Sequence, residues 1–443
     1  EGQVEIIGWL YQYYNTVPKD EVMSLPKSVK YRDTQLARAT QIFTPDWIVQ
    51  YMVQNSVGKY WINVLKQRNP DKTESELVQE FNWQYYMIDA QQDEHVVLQL
   101  HDVNQSLSEV KIEDVCVIDP AMGSGHILIY IFDLLMDIYE SEGYSRSNAA
   151  QSIIQNNLYG LDIDTRAFQL GYFAVMMKYR QYNRRAFRKQ TPVNVYDIPS
   201  SLELESFLPS IKSIFSTTET ENIIKLIEVF YAGNDIGSLL NVKDIDLIEI
   251  ESLMSDPRVQ ESFELQYVFE RLQIMIDVTK VLQQKYDVVV ANPPYMGSAR
   301  MNSVLSTFAK KSFPRSKSDL FSMFIEYWNE MLVPGGYNAM VTMQSWMFLS
   351  SFEKMRIHLL NNYTISNLMH MENNVMGIAF GTAVGIFRNM HIPEFNGTYH
   401  QIKTADAVGK APASLPIPGN RFNRTNQANF GHIDGSPLAY WLP

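Results

Sequence analysis

The strongest constraint on this chain is a change of texture near residue 112. From there short β-branched runs alternate with helical stretches: DVCVID, a glycine-rich turn, HILIYIFDLLMDIYE, NLYGLDID and TRAFQLGYFAVMMKYR, then later KYDVVVANPPY, DLFSMFIEYWNEML and YNAMVTM. Strands that are apolar throughout, each followed by a helix, call for a parallel sheet covered on both faces. In the helix after the turn, Ile127, Ile131, Leu134, Leu135 and Ile138 share one helical stripe, which should face that sheet. The expected class is α/β, a Rossmann-like sheet with helices on both faces.

The rest of the chain is placed around that sheet. Residues 1–110 read as an N-terminal helical region, from the spacing of apolar and aromatic residues in VEIIGWLYQYY and TPDWIVQYMVQNSVGKYWINVL. Thr44 and Pro45 read as a helix entry, the hydroxyl capping the first turn and Pro at the first helical position. Residues 111–199 form the first half of the core and 284–395 the second. Between them, 200–283 is a helical insertion, with fifteen Asp/Glu against six Lys/Arg over 200–280; its negative surface should repel phosphate. Residues 396–443, rich in Pro, Gly, Asn and Thr with little periodicity, read as a linker toward a C-terminal domain, and the chain as a piece of a longer one.

Charge and cysteine usage narrow the function classes. With 37 Lys/Arg and 49 Asp/Glu the net charge is −12, so a nucleic-acid partner must be held by a local basic surface. A single cysteine, Cys116, excludes an intrachain disulfide and a Cys-based zinc site. Histidines lack ligand spacing, and no metal is expected. No apolar run is long enough to span a bilayer and the first residues lack signal-peptide features, so a cytoplasmic protein without membrane contact is expected.

Three motifs carry chemistry. DPAMGSGHIL, residues 119–128, lies between a strand and a helix: Gly123 and Gly125 allow a tight turn and close approach, while Asp119 and the first helical N–H groups offer an acceptor and donors. It lacks the Lys-Ser/Thr of a P-loop and the third glycine of the dinucleotide fingerprint; a plain βα turn is the bland alternative. NLYGLDID ends in two carboxylates, of which Asp162 suits a ribose diol and Asp164 the N-cap of the next helix. Asp197 could end a third strand and meet an adenine amino group, or be a loop aspartate before Pro199. ANPPY, residues 291–295, follows a buried strand. Two prolines cannot donate to a ladder, so the Asn292 side chain and the Pro293 carbonyl form a rigid acceptor pair beside the Tyr295 ring. Such a pair suits a substrate NH₂ group, keeping its lone pair aimed at an electrophile while the ring stacks on an aromatic base.

In this order QIFTPDWIV, DPAMGSG, GLDID and NPPY resemble the S-adenosylmethionine-dependent DNA adenine-N6 methyltransferases of the gamma arrangement. SDLFSMFIEYW, LVPGGYNAMVTMQSWMFL and NVMGIAFGTAVGIF resemble downstream motifs of large restriction–modification methylases. EIIGWLYQYYN, TQIFTPDWIVQYMV and SPLAYWLP are similar to the PglX-type methyltransferases of BREX phage-resistance systems. The resemblance implies that Thr44, Pro45, Asp119, Pro120, Gly123, Gly125, Asp162, Ile163 and Asp197 bind S-adenosylmethionine, and that Asn292, Pro293, Pro294 and Tyr295 form the catalytic pocket. Phe380 would give a second ring to a flipped base, or belong to the core. The implied partners are double-stranded DNA with a flipped adenine and other proteins of the defence system.

Two basic clusters are candidates for phosphate contact. Arg300, Lys310, Lys311, Arg315 and Lys317 follow the catalytic motif and are the better placed, with a solvated loop as the alternative; Lys178, Arg180, Arg184, Arg185, Arg188 and Lys189 read as a solvated helix face. A cytosine-C5 enzyme is excluded because Cys116 follows Val115 inside an expected strand rather than a proline. Cytosine-N4 methylation, glutamine methylation and a catalytically silent binding subunit remain as alternatives.

Overall fold

The computed structural model describes residues 29, 30, 35, 44–188, 191–407 and 409–442; the expected helix in VEIIGWLYQYY, the first three residues of QIFTPDWIV and Lys189 lie outside them. Among the described residues nine strands form one sheet: β1 (Val117–Asp119), β2 (Leu158–Asp162), β3 (Asn194–Asp197), β4 (Tyr286–Ala291), β5 (Leu332–Met343), β6 (Thr364–Met371), β7 (Thr382–Arg388), β8 (Asn396–Ile402) and β9 (Phe422–Asn426). Their spatial order is β3-β2-β1-β4-β5-β7-β6-β8-β9. β1 to β5 pair in parallel, so their C-terminal ends share one edge. β7 runs antiparallel between β5 and β6. The chain leaves β1 toward β2 on one side and returns to β4 on the other, which opens a crevice at the C-terminal edge where ligands bind in such sheets.

Both faces are covered, as the continuous apolar strands require. Val117, Val288 and Val290 pack on one face with α1 (Asp46–Val53), α2 (Lys59–Arg68) and α3 (His126–Ser141). Ile118, Val289 and Ala291 pack on the other, against α5 (Thr217–Phe230), α6 (Phe263–Gln283), α8 (Leu320–Glu330) and α9 (Glu353–Asn362). All five stripe residues of α3, from Ile127 to Ile138, are buried. The acidic segment therefore builds part of the core: Ile223, Leu226 and Phe230 of α5 and Phe269 and Leu272 of α6 share a cluster with Leu161 of β2.

Three local expectations are corrected. Helix α1 begins at Asp46 with Pro45 in the N-cap position and no side-chain cap, so Thr44 does not cap it. The run DVCVID yields only a three-residue strand; the Cys116 N–H, just before it, donates to Asp287 Oδ2 at 2.8 Å. Residues 396–443 are not simply a linker, since β8 and β9 extend the sheet. β8 escaped notice because its buried side chains are largely polar: Thr398, His400 and Gln401 lie inside. His400 Nε2 is 3.1 Å from the Tyr51 hydroxyl, and Gln401 Nε2 donates to Glu372 at 3.2 Å. A strand that buries polar side chains shows no apolar alternation.

Candidate active site

The glycine turn after β1 is held by backbone geometry and by the next strand. Gly123 and Gly125 adopt φ of +54° and +84°, which glycine alone takes without strain. Gly125 opens α3, while the Gly123 N–H donates to Asp162 Oδ2 at 2.9 Å and the Met122 N–H to the Leu161 carbonyl at 3.0 Å. Asp162 Oδ1 accepts from the Asp164 N–H at 2.8 Å, and Asp164 caps α4 (Thr165–Tyr182) through the Arg166 N–H, as its position suggested. Asp162 thus braces the turn as well as lying at the strand tip. Burial pushes its carboxyl up to about 6.

Asp119 ends β1 and is fully buried. One oxygen accepts from the Ala121 N–H at 3.0 Å; the other, also buried, has no hydrogen-bond partner. Burial holds this carboxyl well above the usual range. An orphaned carboxylate oxygen at a strand tip is costly unless a donor arrives, and a cationic ammonium would supply both donor and counter-charge. Asp197 ends β3 at the edge of the sheet and accepts from the Thr165 hydroxyl at 3.0 Å.

Asn292 follows β4 directly, and its Nδ2 donates to the Thr44 hydroxyl at 3.0 Å, across 248 residues of chain. Two residues on, Asp46 Oδ1 lies 3.2 Å from His126 Nε2 at the start of α3, and this hydrogen bond lowers the Asp46 carboxyl despite its partial burial. The segment Thr44–Asp46 therefore joins the NPPY motif to the glycine motif. The Tyr295 hydroxyl donates to the Val341 carbonyl at 3.0 Å. Its ring lies 6.0 Å from Phe321, edge-on, and 6.1 Å from Phe380 at 59°, so Phe380 stands beside the NPPY motif and is half-buried.

Two contributors are not among the site residues expected from the sequence. Asp319 caps α8 and also accepts from the Met296 N–H at 2.9 Å, while Met296 and Ser298 pair with Leu320 and Ser318 through backbone bonds. It clamps the residues that follow Tyr295, and burial pushes its carboxyl up to about 7. Only its burial and partners reveal it, although it sits in SDLFSMFIEYW. Gly171 of α4 is the second: a Cβ there would lie 3.3 Å from the Gly123 carbonyl oxygen and 3.4 Å from the Gly125 nitrogen.

The basic candidates separate. Lys310 and Lys311 are exposed in the last turn of α7 (Ser303–Ser312), a position that suits cations, and Lys317 is exposed. Arg300 donates to the Val29 carbonyl at 3.1 Å. Arg315 instead makes two bonds, 2.9 and 2.7 Å, to one oxygen of Glu326, whose side chain is 4% exposed. Its first duty is to neutralise a buried acid. Lys178 likewise pairs with Asp133 at 2.7 Å. Among the described residues no group of three or more His, Cys, Asp or Glu could hold a metal ion, and no helix is long and apolar enough to cross a membrane.

Strand order, glycine turn and carboxylates at successive strand tips define a mixed α/β, Rossmann-like methyltransferase fold of the S-adenosylmethionine-dependent class. The family of Eco57I restriction-modification methylases matches residues 156–376. The adenine-specific methyltransferase PglX of Lacticaseibacillus casei (strain Zhang) is 42% identical over 457 residues, which is 99% of this chain and 37% of the relative. BrxX of Escherichia coli O9:H4 (strain HS), also an adenine-specific methyltransferase, is 36% identical over 467 residues, again 99% and 37%. Among solved structures the DrdV–DNA complex aligns with 92% of this chain and 32% of its own, at 12% identity and a TM-score of 0.48. The chain is homologous to the PglX and BrxX adenine-specific methyltransferases and spans little more than a third of their length. That homology implies S-adenosylmethionine as cofactor.

Proposed function

We propose that the chain is the cofactor-binding and catalytic part of a DNA methyltransferase that transfers a methyl group to the N6 amino group of an adenine flipped from the duplex, in phage defence or restriction–modification. One observation carries the reading: in Thr44–Asp46, Thr44 accepts from Asn292 and Asp46 lies 3.2 Å from His126 of the glycine motif, so the segments expected to hold cofactor and substrate meet at one point on the sheet's C-terminal edge.

The residues present fit the cofactor. Asp119, with its orphaned oxygen, would take the ammonium group of the methionine portion, and the N–H groups around Gly123 and Gly125 its carboxylate. Asp162 would accept from the ribose hydroxyls through the lone pairs its two backbone bonds leave, with Ile163 and Asp197 nearer the purine. When bound, S-adenosylmethionine supplies a methyl group activated on a sulfonium.

The protein positions the acceptor. The bond to Thr44 turns the nitrogen of the Asn292 amide away from the substrate, so its oxygen and the Pro293 carbonyl would accept the two amino hydrogens. This holds the amino nitrogen with its lone pair out of conjugation and pointed at the donor. Tyr295 and Phe380 would stack on the base and offset part of the few kcal/mol spent on flipping it. Lys310, Lys311 and Lys317 would meet nearby phosphates.

The test is transfer of labelled methyl from S-adenosylmethionine to DNA, with the product base identified by mass after digestion. Asn292→Ala should lower the rate by at least about two orders of magnitude, as for loss of one preorganised hydrogen-bonding group, with cofactor affinity within about twofold of the parent. Equal rates would remove Asn292 from the mechanism. A chain that binds the cofactor and leaves DNA unmethylated would be a silent subunit, and N4-methylcytosine would reassign the base.

A further inference from the structure

The acidic segment returns to the catalytic edge at one place, Ala232–Leu240. Here Gly233–Ile236 makes one helical turn and Gly237–Leu239 a 3-10 turn, and the stretch reaches the ends of three strands. Ser238 is 2% exposed and donates from its hydroxyl to the Pro120 carbonyl at 2.8 Å, inside the glycine turn after β1. Gly237 has φ +62°, and a Cβ on it would lie 2.8 Å from Ile163 Cγ2, just beyond the tip of β2. Gly233 lies so close to the Pro199 carbonyl, after β3, that any side chain would collide. On the other side Asp235 Oδ1 accepts from Asn302 Nδ2 at 2.6 Å, and the Asn302 Oδ1 caps α7 through the Leu305 N–H at 2.9 Å.

A helical segment that needed only to bury its apolar face has α5 and α6 for that purpose, packed on the sheet. The strap uses two close-packed glycines and a buried hydroxyl to seat itself on the loops that follow β1, β2 and β3. Ile163 and Ile236, on either side of that contact, remain half-buried, which leaves apolar surface near Asp162 and Asp197 at the rim. Anchored at Pro120 and at Asn302, the strap cannot swing clear of the crevice without breaking a buried bond.

We propose that Gly233–Ser238 is a wall of the cofactor site on its nucleoside side, with Gly237 and Ser238 as positioning residues: Ser238 fixes the glycine turn through Pro120, and Gly237 seats Ile163 against the purine of S-adenosylmethionine. This rests on the cofactor reading above and adds to it that the insertion, absent from the binding motifs, is part of the site.

Calorimetric titration of S-adenosylmethionine and S-adenosylhomocysteine tests it without DNA or turnover. It is run on the parent, Gly237→Ala, Ser238→Ala and Ile248→Ala, the last an insertion residue 81% exposed, at a temperature where circular dichroism shows each fully folded. Ser238→Ala should raise Kd about three- to tenfold, the scale of one buried hydrogen bond, and Gly237→Ala about tenfold or more, with Ile248→Ala like the parent. A parent that binds while both strap variants bind within twofold of it overturns the wall alone. A parent that binds neither ligand overturns the cofactor reading and the wall with it. Should Gly237→Ala not fold, Ser238→Ala decides.

Discussion

Asp319 offers a sharp test of how the segment after NPPY is held. The residue is 8% exposed, and its carboxyl accepts from the Met296 N–H at 2.9 Å and the Phe321 N–H at 3.4 Å. Burial raises it from 3.8 to about 7, against the opposing pull of these backbone donors. A carboxyl raised in the folded state binds its proton more tightly there than in the unfolded chain, so stability is full below about pH 4 and falls as pH rises through about 7. At 1.36 kcal/mol per unit the whole shift is worth about 4 kcal/mol, of which about 2–3 kcal/mol falls between pH 5 and pH 8. Asp319→Asn keeps an acceptor oxygen for Met296 and cannot ionise, so urea unfolding should show a flatter pH slope by about that amount. Asp319→Ala leaves two buried N–H donors without an acceptor and should lose about 2–4 kcal/mol at pH 5. In methyl transfer at saturating cofactor, the Ala variant should lower kcat through a loosened Tyr295–Met296 segment, and the Asn variant much less. Parallel pH slopes for parent and Asp319→Asn, or an Ala variant as stable as the parent, would refute the clamp.

Four further outcomes follow from the structure. If the cofactor needs Asp162 ionised, a carboxyl at about 6 makes Kd rise about fourfold on going from pH 7.5 to pH 5.5, and calorimetry on Asp162→Asn should show weaker binding without that dependence. Gly171→Ala would press a methyl on the Gly123 carbonyl and should weaken cofactor binding about three- to tenfold, read by the same titration, while thermal unfolding shows the fold retained. Charge reversal at Lys310 and Lys311 should lower the salt slope of DNA affinity by about 2, measured by fluorescence anisotropy, whereas Arg315→Ala should cost about 2–3 kcal/mol in urea unfolding by leaving the buried Glu326 unpaired.

Much of the sheet was legible because its strands are apolar on both faces and separated by helices of ordinary period. DVVV before Asn292 and the stripe from Ile127 to Ile138 needed no tertiary information. What escaped was held by polar contacts. β8 buries Thr398, His400 and Gln401 beside Tyr399 and Ile402, and the partners of His400 and Gln401 are Tyr51 and Glu372 on other segments, so no window of sequence contains the signal. Arg315 and Lys310 look alike as basic residues five apart; only the fold shows that the first faces a buried glutamate and the second solvent.

Thr44 shows the same limit at the site itself. Ser/Thr followed by Pro is a local pattern for a helix start, and a cap is worth about 1 kcal/mol. A side-chain hydrogen bond to Asn292 is worth a similar amount, so energy alone does not choose. The choice falls to geometry: Pro45, with φ −54° and ψ 142°, itself occupies the N-cap position and gives its carbonyl to the Ile48 and Val49 N–H groups, which leaves Thr44 one residue outside the helix and its hydroxyl turned to β4. Composition in the acidic stretch misled in a comparable way. Net charge says nothing of Gly233, Gly237 and Ser238, whose small size is what lets the stretch close on Pro199, Ile163 and Pro120. If the acidic surface repels phosphate as its charge predicts, it can still close on the loops after β1 and β2, because Gly237 and Ser238, which meet Ile163 and Pro120, carry no charge.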